Sequence, residues 1–166
     1  VRLLNFITRS PIDCPVAVVF GQPCAMNWAG KEYDDVGLTL SDAFWKAGYP
    51  ADLIPTTEIW SGSLTLNDDW YVQYGPQRYQ SVVLYHPDLD RPATIEFFRR
   101  AVKGKTVLYR IGDWTHYFNG REFKGRVPLP VEMAAVADVK TAVERITKQL
   151  TDAGVMPQAR ATRSIG

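Results

Sequence analysis

The chain has 166 residues, 46% of them hydrophobic and 22% charged, and a formal net charge of +1. Those figures suit one globular domain with enough chain to bury a core, and they lack the basic balance of a nucleic-acid binder. No apolar run reaches the roughly 18–20 residues of a membrane-spanning helix. Five Trp and eight Tyr are somewhat generous and tilt the reading toward a binding surface.

Residues 1–13 read as a lead-in segment, 14–155 as the folded domain and 156–166 as a polar linker. The start at Val1, without an initiator Met or a signal-peptide layout, reads as a piece of a longer protein. A processed mature chain is the alternative.

The first element is the apolar run Val16–Phe20, ended by Gly21. Its flanking cysteines, Cys14 and Cys24, are expected to stay reduced. Six extended residues span roughly 20 Å, whereas a disulfide needs Cα atoms within about 7 Å. A helix follows, with Leu40, Ala43, Phe44 and Ala47 on one face and Gly48 and Pro50 as its stop. Ala51–Pro55 is the second strand. The segments 63–66 and 70–74 flank Asn67, Asp68 and Asp69 as a hairpin.

Ser81–Tyr85 is the third strand, ending at His86 and Pro87. A second helix carries Ile95, Phe98, Ala101 and Val102, opened by Pro92 and closed by Gly104. The fourth strand covers 106–111 and ends at Gly112 and Asp113. Asn119-Gly120 predicts a second hairpin between 115–118 and 121–123. The last helix has the stripe Val139, Ala142, Val143, Ile146, Leu150 and Ala153, with Asp138 as N-cap and Gly154 as stop.

Apolar strands alternating with helices specify an α/β fold. The expected architecture is a three-layer, doubly wound, mainly parallel sheet of flavodoxin-like order 2-1-3-4, with two hairpin insertions. Ligands of such sheets sit beyond the carboxyl ends of the strands. That rule selects Asn27, Trp28, Glu58, Trp60, His86, Asp113, Trp114 and His116 as candidate ligand or interface residues. Acids beside flat aromatics suit a saccharide.

Each candidate also has an ordinary reading. Asp34 and Asp35 stabilise the positive end of the following helix, His86 makes a backbone hydrogen bond in its loop, and the tryptophans anchor another domain or subunit. A hydrolase built on Glu58, Asp113 and His86 would need its carboxyl groups about 5–10 Å apart.

Several chemistries lack their motifs. The loop after the first strand carries Pro23 in place of a glycine-rich phosphate cradle, no GxSxG occurs, and His86 and His116 have no metal-ligand spacing. No cofactor and no metal are expected.

The segment from Tyr79 through His86 to Pro87, followed by Thr94 through Gly104 to Asp113, resembles the class I glutamine amidotransferase-like fold. Amidotransferases carry a Cys nucleophile on a sharp turn here; in this chain the position falls at Ile111, and no His follows His116. The phrases CAMNWAG from Cys24, GYPADLIP from Gly48, YQSVVLYHP from Tyr79 and GKTVLYRIGDWT from Gly104 are similar to the version of this fold in β-galactosidases and related large glycoside hydrolases. There it is called the trimerisation domain. The resemblance spans roughly residues 14–125 and implies a non-catalytic module, either for assembly or for walling the active-site mouth of a neighbouring domain. Its implied partners are other domains of the same polypeptide or further copies of the chain; from the charge balance and the apolar run lengths, no nucleic acid and no membrane are expected. Fold analogy carries function only weakly.

Overall fold

The computed structural model describes residues 12–21, 35–87, 89–112, 116–117, 130 and 132–158. Four strands come first from the apolar runs: β1 (Val16–Phe20), β2 (Ala51–Pro55), β6 (Ser81–Tyr85) and β8 (Val107–Ile111). Between β2 and β6 lie β3 (Leu64–Leu66), β4 (Val72–Tyr74) and β5 (Gln77–Arg78). Three two-residue or peripheral pieces complete the strands: β7 (Leu89–Asp90), β9 (His116–Tyr117) and β10 (Ala134–Ala135). The helices are α1 (Leu38–Lys46), the short α2 (Thr57–Ser61), α3 (Pro92–Ala101) and α4 (Val139–Asp152).

The main sheet has the order β10-β8-β6-β1-β2 and every pairing in it is parallel. Read from the other edge, its first four strands follow the expected 2-1-3-4 order, and β10 adds a fifth. Both faces are covered because each strand alternates two apolar sets across its pleat. Val16, Val18, Val83, Tyr85, Tyr109 and Ile111 meet α1 through Leu40 and Phe44, and α4 through Ala142, Ile146 and Leu150. Ala17, Val19, Val82, Leu84 and Leu108 meet α3 through Phe97, Phe98 and Ala101. On that second face Leu64 of β3 and Val72 of β4 complete the layer, so an antiparallel sheet takes the place of a crossover helix.

The first expected hairpin forms as β3 and β4, and β5 extends it to three strands. Thr106 ties it to the main sheet: its buried hydroxyl accepts from the Val72 N–H and donates to the Tyr79 carbonyl, both at 2.8 Å. Lys105 N donates to the Trp70 carbonyl at 2.8 Å. The fit is so close that a Cβ at Gly104 would collide with that carbonyl oxygen, which explains a glycine at this helix stop. Of the second expected hairpin, only His116 and Tyr117 are described, and they pair in parallel with Leu89 and Asp90; Asn119-Gly120 and 121–123 lie outside the described residues.

Helix ends follow their local chemistry. Asp138 caps α4 by accepting from the Thr141 N–H at 2.8 Å, and Pro92 occupies the first turn of α3. Ala153, expected on the α4 stripe, is exposed, because the helix ends at Asp152 and leaves the core there. Cys14 is buried and free. Burial and the neighbouring Asp52 carboxylate push its thiol up to about 12.

At the sheet edge, Ser41 Oγ and Trp45 Nε1 of α1 both donate to the Ala51 carbonyl at 3.1 Å.

Candidate functional site

All four long strands run the same way, so their carboxyl ends meet in one line. Phe20 lies beside Pro55 and Tyr85, and Tyr85 beside Ile111. The residues that follow are therefore neighbours at one edge: Gly21, Thr56, His86 and Gly112. Two backbone bonds lace them together, Thr56 N to Phe20 O at 2.9 Å and His86 N to Ile111 O at 2.7 Å.

His86 sits at φ 40, in the left-handed region that His adopts more readily than most residues. Its ring lies edge-on to Tyr85 with centroids 4.7 Å apart. Gly112 has φ 81, and a Cβ there would come within 2.6 Å of His86 Nδ1. The turn after β8 thus needs glycine twice over, for its backbone angle and for the imidazole. Ile111, the last residue of β8, is 3% exposed and packed in the core.

Glu58 and Trp60 both come from α2 but have different surroundings. Glu58 lies by the phenol of Tyr74, which its negative charge pushes above the ordinary tyrosine value. Trp60 Nε1 donates to Thr94 Oγ1 at 3.1 Å, and the Arg91 guanidinium lies 4.1 Å from the ring centroid. One face of this indole is therefore occupied by a cation. His116 belongs to β9, with its side chain outside the described residues. Asn27, Trp28, Asp113 and Trp114 also lie outside the described residues.

Trp60 leads to a cluster not selected from the sequence. Thr94 Oγ1, which accepts from Trp60, donates to Asp90 Oδ1 at 3.1 Å, and the Arg91 N–H donates to the same oxygen at 2.7 Å. Asp90 has no exposed surface, and its Oδ2 is left without a well-formed hydrogen bond. Burial pushes its carboxyl up to about 6, against the opposing pull of the Thr56 and Thr94 hydroxyls and of Arg91. The available signal was an acid four residues before a threonine, straddling the start of a helix at Pro92.

Asp35 stands at the other flank. Its Oδ1 accepts from Gly37 N at 2.9 Å and Thr39 N at 3.4 Å, and Tyr85 donates to its Oδ2 at 3.2 Å. Partial burial raises this carboxyl, but the hydrogen bonds from Thr39, Tyr85 and Gly37 outweigh it and hold the group below its ordinary value. Its role is the start of α1.

Two cavities among the described residues lie away from this edge. One, of about 380 Å³, opens at the amino ends of the strands near Asp13, Gln73 and Gln80. The other, of about 530 Å³, lies between the end of α1 and α4, lined by Tyr49, Thr147 and Thr151 among charged residues. Among the described residues no His, Cys, Asp and Glu cluster has the make-up of a metal site, and no helix is long and apolar enough to cross a membrane.

No family model matches this sequence, and no curated protein matches it. Among solved structures, the apo exo-carrageenase GH42 from Bacteroides ovatus is similar, with a TM-score of 0.60 at 14% identity. The match covers 86% of this chain and 18% of that one. What the likeness shows is the fold. The architecture described above also occurs as one part of a much longer glycoside hydrolase chain.

Proposed function

We propose that this chain is a non-catalytic accessory domain of a glycoside hydrolase, of the amidotransferase-like type, acting through contacts with other domains or with further copies of itself. The observation that carries the reading is the match of 86% of this chain to 18% of the exo-carrageenase chain. A segment of that relative size fits one domain of a larger protein better than a whole enzyme. The residues at the strand ends agree with it. Ile111 occupies the nucleophile position, and Glu58 is engaged with Tyr74 on the side of the small sheet.

The test is turnover by the purified 166-residue chain. Chromogenic β-galactosides and carrageenan are expected to remain uncleaved. Hydrolysis that survives repurification and disappears in Glu58→Gln would replace this reading with an enzyme. For the assembly part, sedimentation is expected to show self-association that grows with concentration; a strict monomer across a wide range removes self-assembly and leaves contacts with other domains.

The second reading is a saccharide held at the strand ends by Asn27, Glu58, His86 and Asp113, with Trp28 and Trp114 as platforms. The alignment of Phe20, Pro55, Tyr85 and Ile111 favours it, because the strand ends from which these loops lead lie at one edge. Trp60 suits it less well than a partner contact, since Arg91 covers one ring face.

A further inference from the structure

The cleft at the amino ends of the strands is built from side-chain amides. Asn67 Nδ2 donates to Gln73 Oε1 at 2.9 Å, and Gln73 Nε2 donates to the Gly75 carbonyl at 2.7 Å, so both amides are fixed in orientation. Gln77 Nε2 is spent on Asp13 Oδ1 at 3.1 Å and on the Cys14 carbonyl at 2.8 Å, leaving its Oε1 as an acceptor. The Arg78 guanidinium lies 4.8 Å from the Tyr71 ring centroid, and its Nη1 stands 3.9 Å from Asp69 Oδ2 in a long, exposed ion pair, so its remaining N–H groups can serve other acceptors. Gln80, in the same cleft, makes no side-chain hydrogen bond among the described residues.

The cleft therefore offers groups of both kinds: Gln77 and Asp13, held by their mutual hydrogen bond, as acceptors, Arg78 as donor, and Gln80 as either. Asp13 and Arg78 offset one another in charge, so the lining favours a neutral ligand. Its apolar wall is only Pro15, Pro76 and Val155, too little to hold an apolar group. About 380 Å³ falls in the range of small-molecule sites. Vicinal hydroxyls, each both donor and acceptor, match such a lining best, because pre-oriented polar groups cost little entropy to engage.

We infer that this cleft, at the edge opposite the strand-end loops, is a binding site for a neutral polyhydroxylated ligand of mono- or disaccharide size. The inference does not depend on the accessory-domain reading, because a sugar site here requires no catalysis and no partner.

The experiment is a titration of the full 15N-labelled chain, following side-chain amide signals, with galactose and lactose as probes. Tetraglycine and inorganic sulfate are the comparison probes. The expected result is saturable shifts of the Gln73, Gln77 and Gln80 amides with the sugars and none with the comparison probes. Gln80→Ala should weaken binding about tenfold, the loss of one hydrogen bond, with thermal stability unchanged because the fold uses only the Gln80 backbone, which donates to Pro15 O and accepts from Val107 N. Arg78→Ala serves as the second variant and should weaken binding similarly. Absence of saturable shifts with either sugar overturns the inference, and so does an equal response to tetraglycine. Sugar-induced shifts centred on Trp60 and His86 and indifferent to Gln80→Ala also overturn it, in favour of the strand-end site. Turnover in the glycosidase assay would defeat the accessory-domain reading and leave this one standing.

Discussion

Asp90 has no exposure, and its Oδ2 lacks the well-formed hydrogen bonds that Oδ1 receives, so its ionised form is poorly accommodated. Its carboxyl is raised from 3.8 to about 6 in the folded protein. The folded chain then holds a proton that the unfolded chain has already released. The resulting stabilisation is complete below pH 3.8 and is lost as pH rises through about 6. By linkage, a difference of that size between the folded and unfolded chain is worth at most about 3 kcal/mol. Asp90→Asn keeps the amide oxygen for Arg91 and Thr94 and carries no charge. Urea unfolding is expected to show a more stable variant at pH 7 and a smaller stability difference between pH 7 and pH 4.5. An unchanged pH dependence would remove Asp90 from this role. Cys14 gives a second residue-scale prediction. With its thiol near 12 and its side chain buried, iodoacetamide at pH 8 should leave it unmodified in the native chain and label it after denaturation, as read by peptide mass mapping. The candidate site was least legible at this scale. Glu58 and Trp60 were identified by position, but their different places on α2 send one to Tyr74 and the other to Thr94, and no sequence spacing distinguishes those destinations.

Elements with a strong period were legible, and the shortest were not. The stripe Ala142, Ile146 and Leu150 names the buried face of α4, and Leu40 and Phe44 do so for α1. β5 and β10 have two residues each, too few to show alternation, so they emerge only from pairing with β4 and β8. The seam between the small sheet and the main sheet is also a tertiary fact. It makes Gly104 a sharp probe, because the atom met by an added Cβ is the Trp70 backbone carbonyl, which cannot rotate away. Gly104→Ala is expected to lower stability by about 1–3 kcal/mol and to shift tryptophan emission as Trp70 is displaced. A wild-type melting curve for this variant would show that the hairpin yields freely. Thr106→Val tests the same seam, since it removes the hydroxyl bonded to Val72 and Tyr79; about 1–3 kcal/mol is expected from denaturant midpoints.

At the scale of the molecule, strand order was readable because β1 and β6 are buried along their whole length. Such strands must be central, and right-handed crossovers then leave few arrangements. The edge where the strands end was likewise readable as a line in space, while the amide-lined cleft at the opposite edge was not. Its walls, Asp13, Asn67, Gln77 and Gln80, come from separate segments joined only by folding.

The two donors that α1 sends to Ala51 bear on whether another chain can extend the main sheet at β2. Thr56 N reaches inward to Phe20 O, so by the alternation of the strand Ala51, Leu53 and Pro55 direct their backbone groups outward from β2. The Ala51 carbonyl is already engaged by Ser41 and Trp45, and Pro55 has no N–H to offer. Two of the three outward rungs thus lack one of the two groups an incoming strand would pair with. Extension of the main sheet by strand addition at the β2 edge is therefore disfavoured. A Ser41→Ala, Trp45→Ala double variant should aggregate faster than the wild type, with a rise in thioflavin fluorescence.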